Sequence, residues 1–263
     1  MIVSDERRIA VDAARAAGLL LRDALSGTRQ VSFKGSPTNL VTEMDARAEQ
    51  LVSDRLRAAF PADAMLGEEG GARAGTSGRR WIVDPLDGTT NYVHGLPIFA
   101  VSIALEVAGA VVLGVIYDPN FDELFVAERG GGAFCNERPL RVSSTATLNE
   151  SLLTTGFPYG VRETEDNNLR EYAAFTVRAQ AVRRMGSAVI YLAYVAAGRV
   201  DGYWELRLGT WDIAAGALIV EEAGGRVTDF TGGAFDLEAP RIVASNGRIH
   251  EEMLQVLQEV RGR

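Results

Sequence analysis

The sequence predicts a mixed α and β fold, of the α+β kind, on three observations. Stretches with apolar residues at helical spacing alternate with short apolar runs bounded by glycine, proline or acidic turns. The apolar segment Phe99 to Tyr117 is long enough to imitate a membrane span, yet it carries Glu106 and a turn at Ala108-Gly109. It is therefore read as two buried strands in a hairpin, Phe99 to Val107 and Ala110 to Tyr117. Finally, 263 residues that are 47% hydrophobic, with three Trp, ten Phe and seven Tyr, can bury a large core.

Taken in order, Asp5 to Leu25 reads as an amphipathic helix with Ile9, Ala13, Leu20 and Leu21 on its apolar side, ended near Ser26-Gly27. A polar stretch follows at Lys34-Gly35-Ser36-Pro37, where Lys34 fits either a solvated loop charge or a phosphate partner. Thr42 opens a second helix stopped by Pro61, and Thr42 and Asp45 have capping-box spacing. Ala64-Met65-Leu66 reads as a short strand that delivers Gly67-Glu68-Glu69-Gly70-Gly71, a turn suited either to solvent or to bringing a carboxylate to a cation. Beyond the hairpin come a strand at Glu123 to Val126, a tight connection at Gly130-Gly131-Gly132, and further sheet at Leu140-Arg141-Val142. A polar stretch near Ala146 to Glu150 divides the chain into halves 1–147 and 148–263, and the absence of a low-complexity linker makes them one compact unit.

In the second half, strands are expected at Ser151 to Thr155, Ala181 to Met185, Val200 to Glu205 and Ile242 to Ala244. Helices are expected at Asn167 to Val177, Ala188 to Ala197, Thr210 to Glu222 and Ile249 to Val260. Gly186 and Ser187 stand at a helix start, and Asp212 at another is explained by the helix dipole alone.

Composition excludes several classes of function. Lys plus Arg total 27 against 35 Asp plus Glu, and a net charge of −8 argues against direct nucleic-acid binding. The single Cys135 cannot form an intramolecular disulfide, and with only His94 and His250 there is no His/Cys zinc constellation, so Cys135 reads as a partly buried small apolar residue. The start, Met1-Ile2-Val3-Ser4-Asp5-Glu6-Arg7-Arg8, lacks the order of a signal peptide, so a cytoplasmic protein without membrane association is expected.

The chemistry concentrates in Trp81-Ile82-Val83-Asp84-Pro85-Leu86-Asp87-Gly88-Thr89-Thr90-Asn91. Three apolar residues lead in as a buried strand, and Pro85 biases Asp84 toward an extended backbone, so the strand is expected to end at Asp84 with its carboxylate pointing out of the sheet edge. Gly88 allows a tight bend, and Thr89, Thr90 and Asn91 are good helix N-caps. Two carboxylates beside a helix N-terminus suit a hard cation and a phosphate together, although an ordinary strand-turn-helix uses the same residues for turn bonding and capping.

These blocks, with Val41-Thr42-x-x-Asp45, Leu66-Gly67-Glu68-Glu69, Gly132-Ala133-Phe134-Cys135-Asn136 and Trp211-Asp212-Ile213-Ala214-Ala215-Gly216, resemble the inositol monophosphatase family of Mg²⁺-dependent, lithium-sensitive phosphatases over nearly the whole chain. The resemblance implies a layered αβαβα fold and a homodimer. It implies that Glu68, Asp84 and the Leu86 carbonyl bind one Mg²⁺ and that Asp84, Asp87 and Asp212 bind a second, with a third, weaker ion near Glu68. Such a carboxylate cluster repels itself without cations, which gives it metal affinity. Thr89 with Asp45, helped by Glu68, would activate the attacking water, Lys34 would steady the metal's water shell, and no phosphoenzyme is required. The backbone N–H groups of Gly88 and Thr89 would hold the phosphate, while Gly186, Ser187, Ala188 and Glu205, together with Asp87 and Asp212, would contact the substrate.

The expected reaction is hydrolysis of inositol 1-phosphate, a small phosphorylated polyol. Fructose 1,6-bisphosphate or broader sugar phosphates, histidinol phosphate and 3′-phosphoadenosine 5′-phosphate are the alternative substrates. A bisphosphate needs a cationic subsite, for which Arg162, Arg170, Arg178, Arg183 and Arg184 are candidates. Gly209-Thr210 replaces the His-Cys of animal members, which leaves metal binding intact and bears on substrate preference, and Gly156-Phe157-Pro158-Tyr159-Gly160 looks closer to bacterial members. A non-enzymatic alternative is a binding partner in transcription or RNA processing.

Overall fold

The computed structural model describes residues 4–27, 30–34, 37–238 and 241–262. Met1 to Val3 of the N-terminal reading, and Gly35 and Ser36 of the polar stretch, lie outside the described residues.

Helix α1 (Asp5–Ala24) starts where the Ser4 hydroxyl accepts the Arg7 N–H at 3.1 Å, with Asp5 and Glu6 in the positive first turn. A two-stranded antiparallel ribbon follows, β1 (Val31–Phe33) and β2 (Leu40–Thr42), which the sequence reading did not anticipate because three-residue strands carry too little period to detect. Helix α2 (Glu43–Ala59) has the expected capping box between Thr42 and Asp45.

Next come β3 (Ala64–Gly67), β4 (Gly71–Arg73), β5 (Arg79–Asp87), the short helix α3 (Thr89–Val93), β6 (Ala100–Val107), β7 (Ala110–Asp118), β8 (Glu123–Glu128), β9 (Gly132–Cys135) and β10 (Arg138–Pro139). The second half contributes β11 (Leu152–Thr155), α4 (Leu169–Thr176), β12 (Ala181–Arg183), α5 (Ala188–Ala196), β13 (Gly202–Leu206), α6 (Thr210–Glu222), β14 (Arg226–Thr228), β15 (Arg241–Ser245) and α7 (His250–Arg261).

Eight strands form one sheet in the order β10-β9-β8-β7-β6-β5-β3-β4, antiparallel except at β3 and β5. Five form another, β12-β11-β13-β15-β14, in which β11 runs parallel to both neighbours. Helices α1 and α2 cover one face of the large sheet and α6 the other. Helix α5 pairs with α6 and touches the small sheet, whose far side carries α4 and α7. The result is the αβαβα stack that the family resemblance implies.

Three apolar clusters join these layers. Trp81, Val83, Val101, Ile103, Val115 and Tyr117 face α1 and α2. Ile82, Ala100, Ala104 and Ile116, on the opposite face of the same strands, pack toward α5 and α6. Burial on both faces explains why β6 and β7 read as one apolar run long enough for a membrane. Among the described residues no helix is long and apolar enough to cross one. Phe175, Trp204, Val243 and Met253 seal α4 and α7 to the small sheet.

Two expectations need correction. Strand β5 does not stop at Asp84: its pairing with β6 slips between Asp84 and Asp87 and resumes at Asp87 opposite Ala100. Pro85 has no N–H for the ladder, so the strand bulges there instead of ending, and Asp84 is buried at 1% exposure rather than pointing out of a sheet edge. Leu140 to Val142 does not extend the sheet either. After Pro139 the chain crosses to the end of α6, where the Val142 N–H meets the Ala223 carbonyl at 3.2 Å.

Candidate active site

The bulge in β5 and the first turn of α6 aim carboxylates into one volume. Asp84, Asp87 and Asp212 each contribute an oxygen there, all within 4.8 Å of one another. Asp84 Oδ1 accepts the Leu86 N–H at 2.9 Å, whereas its Oδ2 is buried without a partner. Asp87 Oδ2 accepts the Val189 N–H at 2.7 Å and the Ser187 hydroxyl, both at the start of α5. Asp212 Oδ2 accepts the Gly209 N–H at 2.6 Å, so Asp212 caps its helix as the dipole reading expected and still belongs to the cluster.

Burial raises the pKa of every member. Asp84 is pushed well above the ordinary carboxylate range by desolvation and by repulsion from Glu68, Asp87 and Asp212. Asp212 moves the same way, through desolvation and then Asp87 and Glu68. Asp87 rises to about 6 through desolvation, held back by hydrogen bonds from Ser187, Val189 and Gly88.

Asp45 and Thr89 meet beside this cluster. Asp45 is 1% exposed; its Oδ2 accepts the Thr42 N–H at 2.8 Å and the Thr42 hydroxyl at 2.7 Å, and its Oδ1 lies 3.0 Å from the Thr89 hydroxyl. The capping role and the contact with Thr89 therefore coexist in one side chain. Thr89 Oγ1 is also 3.1 Å from the Leu86 carbonyl, and a hydroxyl has a single proton to share between the two acceptors.

Gly88 rather than Thr89, Thr90 or Asn91 is the N-cap of α3, with φ at 100° and no side-chain cap. A Cβ there would lie 2.8 Å from the Ile98 carbonyl oxygen, so both the backbone angle and the space require glycine. Asn91 instead ties the two halves together, its Nδ2 reaching the Ile98 carbonyl at 2.9 Å and the Met185 carbonyl at 2.7 Å.

Glu68 pairs with Lys34 and is not among the three carboxylates that meet within 4.8 Å. Lys34 Nζ donates to Glu68 Oε1 at 3.0 Å and also to Glu69. Desolvation lifts Glu68 to about 7, with Lys34 opposing and Glu69 and Asp45 adding to the rise. The residue that sequence reading missed is Glu49. It is 7% exposed and accepts the Glu69 N–H at 2.8 Å and the Gly70 N–H at 2.6 Å, so it sets the turn that carries Glu68. The signal was present, because Glu49 follows Asp45 by one helical turn on a face shared with Ala48 and Val52.

On the other side, Ser187 caps α5 by accepting the Ile190 N–H at 3.1 Å while its hydroxyl serves Asp87. Gly186 has φ at 85°, and Ala188 is buried beside them. Glu205 is 8% exposed, not a surface carboxylate at a strand end, and accepts the Tyr203 hydroxyl at 2.9 Å. Desolvation pushes it to about 8, with Arg184 among the groups drawing it down. Of the other candidate arginines, Arg170 binds the Val260 carbonyl at 2.7 Å and Arg178 pairs with Glu259 at 3.0 Å, which commits both to α7.

These shifts give a pH dependence of stability with a definite sign. Glu205, Glu68 and Asp87 rise from ordinary values of 4.5, 4.5 and 3.8 to about 8, about 7 and about 6. The folded chain then holds more protons than the unfolded chain across that interval, so stability falls as pH rises. Thermal unfolding in chelator is expected to show a midpoint that declines from about pH 4 to about pH 8, the interval those shifts span. A midpoint that rises over the interval contradicts the burial of these carboxylates.

The model of the inositol monophosphatase family matches residues 3–261 of the chain. The inositol-1-monophosphatase of Rhizobium meliloti is 48% identical over 230 residues, 87% of this chain and 86% of that protein. The Nus factor SuhB of Pseudomonas aeruginosa is 44% identical over 256 residues, 95% and 94% of the two chains. Among solved structures, the inositol monophosphatase from Anabaena (Nostoc) sp. PCC 7120 superposes with a TM-score of 0.87 at 44% identity, covering 96% of this chain and 95% of that one. With its five-layer stack and its facing carboxylates, this chain belongs to the inositol monophosphatase family.

Proposed function

We propose that the protein is a Mg²⁺-dependent phosphomonoesterase that hydrolyses inositol 1-phosphate to inositol and phosphate. The observation that carries this reading is the convergence of Asp84, Asp87 and Asp212 around a buried, unpartnered Asp84 oxygen. A donor set made only of oxygens fits a hard divalent cation. Glu68, Asp84 and the Leu86 carbonyl would hold one ion, Asp84, Asp87 and Asp212 a second, with a third weaker ion near Glu68. When bound, Mg²⁺ supplies Lewis-acid stabilisation of the phosphate and acidifies water near neutral pH.

The chain's own groups do the rest. Thr89 and Asp45 orient the attacking water and accept its proton as the new P–O bond forms in line with the breaking ester bond. The Gly88 and Thr89 N–H groups hold the phosphate, and the inositol leaves with a proton from solvent. Lys34 neutralises charge beside Glu68, with which it pairs. Gly186, Ser187, Ala188 and Glu205 form the wall against the alcohol, and Glu205 accepts hydrogen bonds from its hydroxyls. We take the halves 1–147 and 148–263 as one catalytic unit in a cytoplasmic homodimer inhibited by Li⁺.

The test is phosphate release from D,L-inositol 1-phosphate and fructose 1,6-bisphosphate in parallel, with Mg²⁺, with chelator, and with Li⁺ added to Mg²⁺. The expected result is Mg²⁺-dependent, Li⁺-sensitive release that strongly favours the inositol ester. Comparable turnover of the bisphosphate would make the enzyme a broader sugar phosphatase, and no release from either would remove the assignment. The likeness to a protein named Nus factor SuhB supports a second reading, a binding role in transcription. Complementation by Asp87→Asn, which removes a carboxylate with little change of shape, would favour that reading.

A further inference from the structure

We propose that Tyr191 is a positioning residue for the substrate's alcohol: its hydroxyl fixes the Met185-Gly186 peptide, and its ring braces Tyr203, which holds Glu205. The inference rests on the phosphatase reading and on the wall that Gly186, Ser187 and Glu205 form in it.

The turn before α5 is held from both sides. The Tyr191 hydroxyl accepts the N–H of Met185 and the N–H of Gly186. From the other half of the molecule, Asn91 Nδ2 reaches the Met185 carbonyl at 2.7 Å, with the Gly186 carbonyl at 3.4 Å. The peptide joining Met185 to Gly186 therefore has its carbonyl tied to α3 and its N–H tied to α5. Its plane cannot turn without breaking one bond or the other. Only glycine fits this grip, because φ is 85° and a Cβ would lie 2.9 Å from Asn91 Nδ2. One residue further on, Ser187 donates its hydroxyl to Asp87 and accepts the Ile190 N–H at 3.1 Å. A shift of the turn thus passes in one step to a carboxylate of the cluster.

The ring of Tyr191 supports the other part of the wall. Its centroid lies 5.3 Å from that of Tyr203, with the two planes inclined at 42°. Tyr203 is fully buried and donates its hydroxyl to Glu205 Oε2 at 2.9 Å. Gly156 closes on the same carboxylate so tightly that a Cβ would come 2.1 Å from Oε1. Glu205 is therefore confined between a phenol and a backbone. A buried tyrosine that serves stability alone needs one partner for its hydroxyl. Here the oxygen takes two successive amides of a turn that leads to Asp87, and the ring backs the residue that orients Glu205. The start of α5 and the strand β13 are separate elements, and Tyr191 touches the support of each. Recognition of a polyol needs its hydrogen-bond partners at fixed spacing, which is what such a shared support maintains.

The experiment compares the wild-type chain with Tyr191→Phe, which keeps the ring and removes the two hydrogen bonds, in saturating Mg²⁺. The substrates are inositol 1-phosphate and p-nitrophenyl phosphate, which has no polyol hydroxyls. Tyr191→Phe is expected to raise KM for the inositol ester about five- to tenfold, the scale of one misplaced neutral hydrogen bond, with kcat within about twofold. KM for p-nitrophenyl phosphate should stay within about twofold. Asn91→Ala, which frees the same peptide from the other side, should raise KM for the inositol ester too. Because both residues hold one peptide, the double variant should raise it by less than the product of the single effects. Amide hydrogen exchange reads the clamp without turnover: Met185 and Gly186 should exchange at least about tenfold faster in Tyr191→Phe. An equal change for both esters, or faster exchange with KM for inositol 1-phosphate unchanged, makes Tyr191 a structural residue and overturns the inference. If wild type hydrolyses fructose 1,6-bisphosphate instead, the same split is read on that ester. A wild-type chain inactive on every ester sinks the phosphatase reading and this role with it, an outcome distinct from an active enzyme indifferent to Tyr191.

Discussion

Replacing Asp84 by Asn is expected to lower kcat/KM by at least about 10²–10³-fold, the scale of one preorganised electrostatic group, while making the metal-free protein more stable. Both effects come from one arrangement. Asp84 is buried, one of its oxygens has no partner, and Glu68, Asp87 and Asp212 all repel its charge. An amide keeps the shape and the acceptor for the Leu86 N–H but removes a charge that has no counterion in the chain. The thermal midpoint in chelator should rise, by about 2–4 °C for each kcal/mol of repulsion relieved in a chain of this size. With Mg²⁺ added, wild type should gain midpoint and the variant should gain less. A variant that loses activity and is also less stable in chelator would show Asp84 to be a structural hydrogen-bonding residue, not a member of a frustrated anionic site.

Glu49→Ala is expected to destabilise the fold by about 2 kcal/mol, because two partly buried backbone N–H groups would lose a charged acceptor. Those groups belong to Glu69 and Gly70, and Glu49 touches no part of the proposed substrate path. Activity should nevertheless fall, with a higher Mg²⁺ concentration needed for half-maximal rate, since the turn positions Glu68. Glu49→Gln keeps one acceptor oxygen and should fall between the two. Denaturant unfolding and Mg²⁺ titration of the rate read both effects. Loss of stability with an unchanged Mg²⁺ requirement would mean that Glu68 is held by Lys34 alone.

How much of this was legible in the sequence follows the range of the interactions involved. The β6–β7 hairpin was readable because its signals are local: an apolar run, a charged interruption, and Ala108-Gly109, whose φ values of 51° and 82° turn the chain. The capping box at Thr42 and Asp45 is local in the same sense. The bulge in β5 was not readable, because Pro85 alone does not say whether a ladder resumes two residues later. Nor was the burial of Glu205, since the strand's own residues do not reveal that Gly156 packs against it. The meeting of Asp212 with Asp84 depends on stacking α6 against the large sheet. Sequence motifs proposed their partnership by resemblance, and only layer packing supplies a distance. The β1–β2 ribbon, which places Lys34 on Glu68, is too short for any periodic pattern to disclose.

The carboxylates at the centre of the molecule come from segments far apart along the chain: β5 supplies two and α6 the third. An ion shared between them would therefore act as a reversible staple across a very long loop of polypeptide. Closing such a loop costs entropy that grows slowly with its length, and a tie present in the folded chain alone offsets that cost. Cation affinity and the docking of the α6 layer onto the large sheet then become one equilibrium seen from two sides. Whatever loosens the seam weakens the ion, and whatever removes the ion loosens the seam.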